Sequence, residues 1–287
     1  MKYTSPFQTF GISPQQFAND WTKVKKETQL LLQAYGLYSE VNLGQTKATK
    51  QQLNKWIDEL EAENSREIHL KIYENGDLYR FLQEGELNLF ANNSLDLTAE
   101  NKPLIDYIKP FYLYQYAQAW VRALQTNNEA ELNLLKVCPT PYTLEDILAY
   151  AQPIEDFLKK TIASLEALAN SPQLSYISER ELLSYLPDQT IAIYNFLPDF
   201  LSNARNWLAT AVGRLAMYMS VQLGRTDGAM LMIQQALKLN VDNNLKADLQ
   251  KLMVRHKKIG RPAAWIMLTL FVIALLFFLQ YMEKNYF

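Results

Sequence analysis

The chain has 287 residues, 49% of them hydrophobic and 20% charged, so it is long enough for one large or two small domains with a sizeable core. One cysteine, Cys138, excludes an internal disulfide framework, and two histidines are too few for a zinc site of the usual kind. Residues 1–250 carry 22 basic and 29 acidic residues, which argues against nucleic-acid binding because that requires a basic face.

The first ninety-one residues are predicted to form an N-terminal helical unit, residues 1–91. A Ser-Pro start at Ser13, followed by apolar residues at helical spacing, predicts a helix that reaches about Leu31. Thr49 has the position of a cap for a second helix, and residues 68–81 are predicted to form a third that Gly76 and Asp77 interrupt. The polar stretch that follows residue 91 breaks the periodicity and is the predicted domain boundary.

A C-terminal helical unit is predicted over residues 103–258. Amphipathic periodicity indicates a helix over 153–169, and Pro198 with Asp199 starts a long helix that reaches about Leu223. Few segments favour strands, and strands do not alternate with helices. The predicted fold class is therefore all-α, with packed helical hairpins and a single C-terminal transmembrane helix.

Aromatic side chains are dense at the start of the C-terminal unit, where Tyr112, Tyr116 and Trp120 share one face of a predicted helix. A stripe of this kind is more often a buried core than an exposed groove, and both interpretations stay open. If the stripe is a groove, these residues combine with Trp207 and Tyr218 of the C-terminal hairpins to bind a protein partner.

In residues 208–241, a turn glycine is followed by small residues at fixed intervals and by a Leu-x-Leu pair. The matching positions are Gly224, Ala229, Ala236, Leu237 and Leu239. This spacing resembles one partial tetratricopeptide repeat, in which small residues let two antiparallel helices approach closely across a short turn. The resemblance implies a helical hairpin that binds a partner protein.

The N-terminal unit combines the segment FQTFGIS with a basic helix that carries Lys23, Lys25 and Lys26, and then continues as LNKWIDELEAENSREIHLKIYENG. This order is similar to that of a J-domain. The His-Pro-Asp signature of that family is missing from the turn between Gln33 and Thr49. The resemblance therefore implies a degenerate J-like module, with co-chaperone activity as an alternative function.

Residues 263–279, AAWIMLTLFVIALLFFL, contain no charge. With the next three residues the segment reaches about twenty positions, which at about 1.5 Å per residue matches a hydrocarbon core of about 30 Å. We therefore predict a transmembrane helix over residues 262–282.

Basic residues precede the predicted span, and we expect them to contact anionic headgroups at the membrane surface: Lys251, Arg255, Lys257, Lys258 and Arg261. The positive-inside rule then places the N-terminal body in the cytoplasm and the short C-terminal tail on the far side of the bilayer. This is the pattern of a tail-anchored protein.

The sequence offers little support for catalysis. Of the two histidines, His256 lies in the basic flank and His69 lies among charged helical residues, where we expect it to be solvated. Cys138 precedes a proline and is expected to pack rather than react. Phosphate-binding glycine loops and a nucleophile elbow are missing from the sequence. We predict no enzymatic activity, no catalytic residue, no cofactor and no metal site.

Together these features favour a tail-anchored membrane adaptor whose helical body binds a protein partner. The alternative is a membrane effector that oligomerises through its span and perturbs the bilayer. Only Thr269 and Gln280 are polar in or at the end of the span, and it has no small-xxx-small motif, so a water-filled channel has little support. A homo-oligomer is compatible with both functions.

Overall fold

The computed structural model describes residues 1–43, 46–92, 101–137 and 140–256, and this part of the chain is mostly helical. Its one sheet is a two-stranded hairpin. The prediction of an all-α fold is confirmed. The chain divides into two compact units, of which unit 1 comprises residues 1–154 and unit 2 begins at Glu155.

Unit 1 contains, in chain order, α1 (Pro6–Thr9), α2 (Phe17–Leu32), β1 (Glu40–Leu43), β2 (Thr46–Thr49), α3 (Lys50–Glu61), α4 (Glu63–Glu74), α5 (Gly76–Glu84), α6 (Asn88–Ala91), α7 (Lys102–Thr126), α8 (Glu129–Val137) and α9 (Leu144–Ala149). A single 3-10 turn, Pro14–Gln16, leads into α2. In the antiparallel hairpin, the inward pair is Val41 and Ala48, which are both buried.

Local signals explain where several helices of unit 1 begin and end. The predicted cap at Thr49 is confirmed: its hydroxyl accepts the Gln52 backbone N–H while the Gln52 side chain accepts the Thr49 N–H, which is a capping box. The interruption predicted within 68–81 is present, but it lies at Asn75, one residue before Gly76, and it separates two helices, α4 and α5. Asn75 leaves the helical conformation and its side chain caps α5 by accepting the Leu78 N–H at 3.0 Å.

The division between the units lies further along the chain than the sequence suggested. Helix α7, predicted to open the second unit, packs against α4, α5 and α8. The Gln115 side chain on α7 donates to the backbone carbonyls of Leu82 and Gln83, at 3.1 and 3.0 Å. The long-range bonds of a buried amide therefore place α7 in unit 1.

Unit 2 contains α10 (Gln152–Ala169) from its fourth residue onward, and then α11 (Glu179–Ser184), α12 (Asp188–Phe196), α13 (Ser202–Gln222), α14 (Thr226–Ala236) and α15 (residues 243–256). Short 3-10 turns, Pro172–Ser175 and Asp199–Leu201, precede α11 and α13. The prediction of a long helix after Pro198 is confirmed, although its first turn is 3-10 rather than α.

Helices α13 and α14 form a close antiparallel hairpin. Gly224 ends α13 with a φ of 66°, a left-handed conformation that glycine adopts without strain. Small residues face the neighbouring helix: Ala229 and Ala236 are fully buried, and a Cβ on Gly228 would lie only 2.6 Å from the Met219 side chain. The small residues therefore allow the two helices to approach closely.

Helix α15 lies along α13 and runs in the same direction. Three pairs of residues from the two helices or their ends are close together, and in each pair the partners are 36 positions apart: Asn206 with Asp242, Gly213 with Leu249, and Ser220 with His256. Because the offset is constant along the contact, α13 and α15 run parallel to each other. The three helices α13, α14 and α15 therefore form a helical hairpin followed by a third helix with the direction of the first.

Within the described residues, none of the helices has both the length and the apolar character needed to cross a bilayer. The predicted span, residues 262–282, lies outside this part of the chain.

Candidate partner-docking surface

Three of the aromatic residues predicted to bind a partner lie in the core of unit 1. Tyr112 and Trp120 have no exposed surface and Tyr116 is 4% exposed. The Tyr112 ring packs on Phe81 at a centroid distance of 4.9 Å, and the Tyr116 hydroxyl donates to the Leu135 carbonyl at 2.9 Å. Of the two interpretations of this stripe, the structure therefore supports the core, and these residues do not line an open groove.

The other two predicted residues, Trp207 and Tyr218, are both on α13 of unit 2 and each is 42% exposed. They are eleven positions apart, which is about three helical turns, so they lie on the same side of the helix. Met217 and Val221 are also exposed on this side, although the sequence analysis did not select them. We call the exposed side of α13 formed by Trp207, Arg214, Met217, Tyr218 and Val221 the α13 face.

A groove of 270 Å³ lies between α10 and the first half of the α13 face, lined by Lys159, Ile162, Glu166, Trp207, Thr210, Ala211 and Arg214. The Lys159 ammonium lies 5.7 Å from the centre of the Trp207 ring and 3.1 Å from a Glu155 carboxylate oxygen. This cation–π contact orients one face of the indole while a large part of the ring stays exposed.

Arg214 lies between the two aromatic residues, two helical turns after Trp207 and one before Tyr218. Its side chain is exposed, and it forms no hydrogen bond or ion pair with the residues that the structure describes. The guanidinium therefore keeps its donors available for a carboxylate.

Two of the five residues predicted to contact the membrane surface are described. Lys251 and Arg255 are exposed on α15, and Lys251 lies 3.0 Å from the Asp248 carboxylate. The other three, Lys257, Lys258 and Arg261, lie outside the described residues, as does Cys138.

His69 is fully buried, and the prediction that it is solvated is wrong. Its Nδ1 lies 2.9 Å from the Tyr3 hydroxyl, and its Nε2 lies 3.2 Å from Glu59 Oε2 and 3.5 Å from the Tyr107 hydroxyl. These partners come from the N-terminal segment, α3 and α7, so the ring joins four segments of unit 1. The expectation was wrong because the charged residues next to His69 in sequence occupy other sides of α4.

The polar groups around His69 have shifted pKa values. Burial raises the pKa of both Tyr3 and Tyr107 well above the ordinary value, so both hydroxyls stay protonated. Burial also acts to raise the pKa of Glu59, but its hydrogen bond to His69 and the charges of His69 and Lys55 outweigh that and lower it. Glu59 is therefore a carboxylate, and the cluster is a satisfied polar network inside unit 1.

The second histidine forms a Ser–His pair that no sequence motif indicates. Ser220 Oγ lies 2.7 Å from His256 Nδ1, between α13 and α15, and both residues are buried. Burial lowers the pKa of His256, and the charge of Arg255 lowers it further, so the ring is neutral near pH 7. Within the described residues no carboxylate orients the other ring nitrogen, so the pair lacks the third member of a catalytic triad.

Among the described residues, no three His, Cys, Asp or Glu side chains are placed to hold a metal ion. No protein-family model, no curated protein and no solved structure matches this chain. The resemblances to a tetratricopeptide repeat and to a J-domain therefore stay predictions.

Proposed function

We propose that this chain is a membrane-anchored adaptor and that the α13 face docks a protein partner. The observation that carries the proposal is the presence of Trp207, Arg214 and Tyr218 on one exposed helix face, with apolar Met217 and Val221 beside them. Tryptophan, arginine and tyrosine are the residue types that contribute most to binding energy at protein interfaces.

The dimensions of the α13 face suit a helical segment of a partner. Trp207 and Val221 are fourteen positions apart, which corresponds to about 21 Å along the axis, or about four turns of a helix lying alongside. The groove beside Trp207 would receive a side chain near one end of such a segment. An exposed patch with this content of large apolar side chains is typical of an interaction surface.

The charge of the surface indicates what the partner carries. Arg214 is unpaired within the described part of the chain, whereas Lys159 at the groove is paired with Glu155, so Arg214 is the cation available to a partner. A partner segment with apolar side chains and a carboxylate at its centre would complement this arrangement, with the carboxylate accepting two N–H bonds from Arg214.

The arrangement of α13, α14 and α15 supports the same proposal. A helical hairpin followed by a third helix parallel to the first is the geometry that stacked helical repeats produce, and such repeats bind partners through helix faces. The offset of 36 residues between α13 and α15 is close to the length of a tetratricopeptide unit.

Membrane anchoring is proposed from the apolar segment 263–279 and from the basic residues before it. Lys251 and Arg255 would contact anionic headgroups, and the body would lie on the cytoplasmic side. The adaptor would thereby hold its partner at the membrane surface.

Partner capture tests the docking surface. Full-length protein is purified from membranes in mild detergent, and the triple variant Trp207→Ala, Arg214→Ala and Tyr218→Ala is compared with Tyr176→Ala. Tyr176 is 89% exposed on unit 2 and does not belong to the α13 face, so it is a control for the loss of an exposed aromatic side chain. We expect a stoichiometric partner with the wild type and the control, and at least about a hundredfold weaker binding by the triple variant. Equal capture by the triple variant would refute the proposal.

A deletion tests the anchor separately. Removal of residues 262–282 should move the protein from the carbonate-washed membrane fraction to the soluble fraction while the partner stays bound. If instead no partner copurifies, and self-association requires the deleted segment, the effector function replaces the adaptor.

A further inference from the structure

Unit 1 has a concentration of exposed apolar side chains at the end of α2 and in the loop that follows it. Five large hydrophobic residues within nine positions are exposed: Leu30, Leu31, Tyr35, Leu37 and Tyr38. We call them the unit 1 patch. Tyr38, at 75% exposed, protrudes furthest, and every residue from 33 to 40 is exposed, so this loop projects from the unit. Leu31, before the loop, also lines a neighbouring groove of 710 Å³ between the N-terminal segment, α2 and the hairpin.

The projecting loop is held in place by hydrogen bonds to the start of α3. The Gln51 N–H donates to the Leu37 carbonyl at 3.0 Å, and the Lys50 N–H donates to the Ser39 carbonyl at 3.3 Å. The Lys50 ammonium donates to the Tyr35 carbonyl at 2.9 Å. The patch is therefore presented in a defined conformation, and a cation is fixed at its edge.

The charge of unit 1 is segregated around the patch. Residues 21–50 contain five lysines and two glutamates, whereas residues 51–92 contain four basic and nine acidic residues. Lys23 and Lys26 lie on the same face of α2 as Leu30, by helical spacing, and both are exposed. The apolar side chains thus project from the basic part of an otherwise acidic unit.

We propose that the unit 1 patch inserts into the interface of an anionic lipid membrane. Leucine side chains bury in the acyl boundary, tyrosine rings place an apolar body and a hydroxyl at headgroup level, and lysines attract anionic headgroups. A projecting loop with this composition suits a yielding lipid surface, because its most protruding side chains, Leu37 and Tyr38, stand outside the groove that Leu31 lines. The inference is independent of the α13 face.

The test places a fluorophore at the patch without changing its side chains. In a Cys138→Ser background, Ser39→Cys carries an environment-sensitive label, and full-length protein is reconstituted in nanodiscs of phosphatidylcholine with or without phosphatidylserine. We expect a blue shift and quenching by spin-labelled lipid in the discs with phosphatidylserine, and much less without it. A label at Tyr176→Cys on unit 2 is the control and should respond in neither.

Three variants separate the apolar and charged contributions. Leu37→Glu with Tyr38→Glu should abolish the blue shift, and Lys23→Glu or Lys26→Glu should weaken the lipid dependence at least about fivefold each. These side chains are exposed, so circular dichroism should be unchanged. If the emission of the label does not shift in either kind of disc, the proposal is overturned. The same result is expected if the patch binds an acidic protein instead of lipid.

If the chain does not insert in nanodiscs, the anchor proposal fails, and the same label is read with added vesicles of the two compositions. A shift that requires phosphatidylserine then still supports the patch, and no shift overturns it.

Discussion

Ser220 and His256 are 36 positions apart and meet at 2.7 Å between two helices that run in parallel. Asn206 and Asp242 have the same separation and meet at 2.6 Å at the other end of the contact. A shift of α15 along α13 by one residue would break both polar pairs. These two pairs therefore fix the register of the third helix against the hairpin, and through it the position of the basic residues on α15.

Substitution of Ser220 by alanine should destabilise unit 2 by about 1–3 kcal/mol, because the buried His256 Nδ1 then loses its partner. The double variant Ser220→Ala with His256→Leu should recover part of this loss, since neither polar group remains. Hydrogen exchange of α15 amides in the full-length protein measures the change. Ser164→Ala on the exposed side of α10 is the control, and an equal effect there would contradict the prediction.

The stability of unit 2 should decrease as the pH falls below about 6.5. Burial and Arg255 depress the pKa of His256 in the folded state, so the unfolded chain binds the proton more strongly and acid favours unfolding. The stabilisation is therefore present above the unfolded pKa and is lost below it. His256→Gln should flatten this dependence when α15 exchange is compared at pH 7 and pH 5. A wild-type profile that stays equally flat would refute the assignment.

Local signals allowed the helix starts to be predicted. The cap predicted at Thr49 forms a capping box with Gln52, three residues on. Thr143 and Asp146 form a second capping box over the same short span. The domain boundary could not be predicted in this way, because the polar residues after 91 have the composition of a linker. The hydrogen bonds from Gln115 to α5 connect positions more than thirty apart, so no local sequence pattern indicates them.

The candidate site could be predicted only in part for a similar reason. Trp207 and Tyr218 were selected as aromatic residues, but apolar residues surround α13 on most sides, so periodicity did not indicate which side is exposed. His69 was misjudged because its burial depends on Tyr3, 66 positions away. The burial of residues whose neighbours come from distant segments of the chain can be determined only from the structure.

The polar cluster of unit 1 should depend on Tyr3 more than on Tyr107. Tyr3→Phe removes the hydroxyl at 2.9 Å from His69 Nδ1 and should cost about 1–3 kcal/mol, because it leaves that buried nitrogen without a partner. Tyr107→Phe removes a contact at 3.5 Å to a nitrogen that keeps Glu59, and it should cost less than about 1 kcal/mol. Hydrogen exchange of α4 amides measures both, and equal losses would show that Tyr3 has no special role.

Substitution of the core residue Trp120 should mainly reduce stability, whereas substitution of the exposed Trp207 should mainly weaken partner binding. Trp120 is fully buried in unit 1, so Trp120→Ala should cost about 3–5 kcal/mol through the lost burial and the cavity it leaves. Trp207 is 42% exposed, so Trp207→Ala should cost less than about 1 kcal/mol while weakening partner capture about tenfold or more.

Exchange protection of α7 and of α13 reports the stability of each variant, and capture from detergent extracts reports binding. A Trp207→Ala protein that loses the protection of α13 as severely as Trp120→Ala loses that of α7 would place Trp207 in the core. Its loss of binding would then follow from unfolding, whereas retained protection together with lost capture would assign the indole to the docking surface.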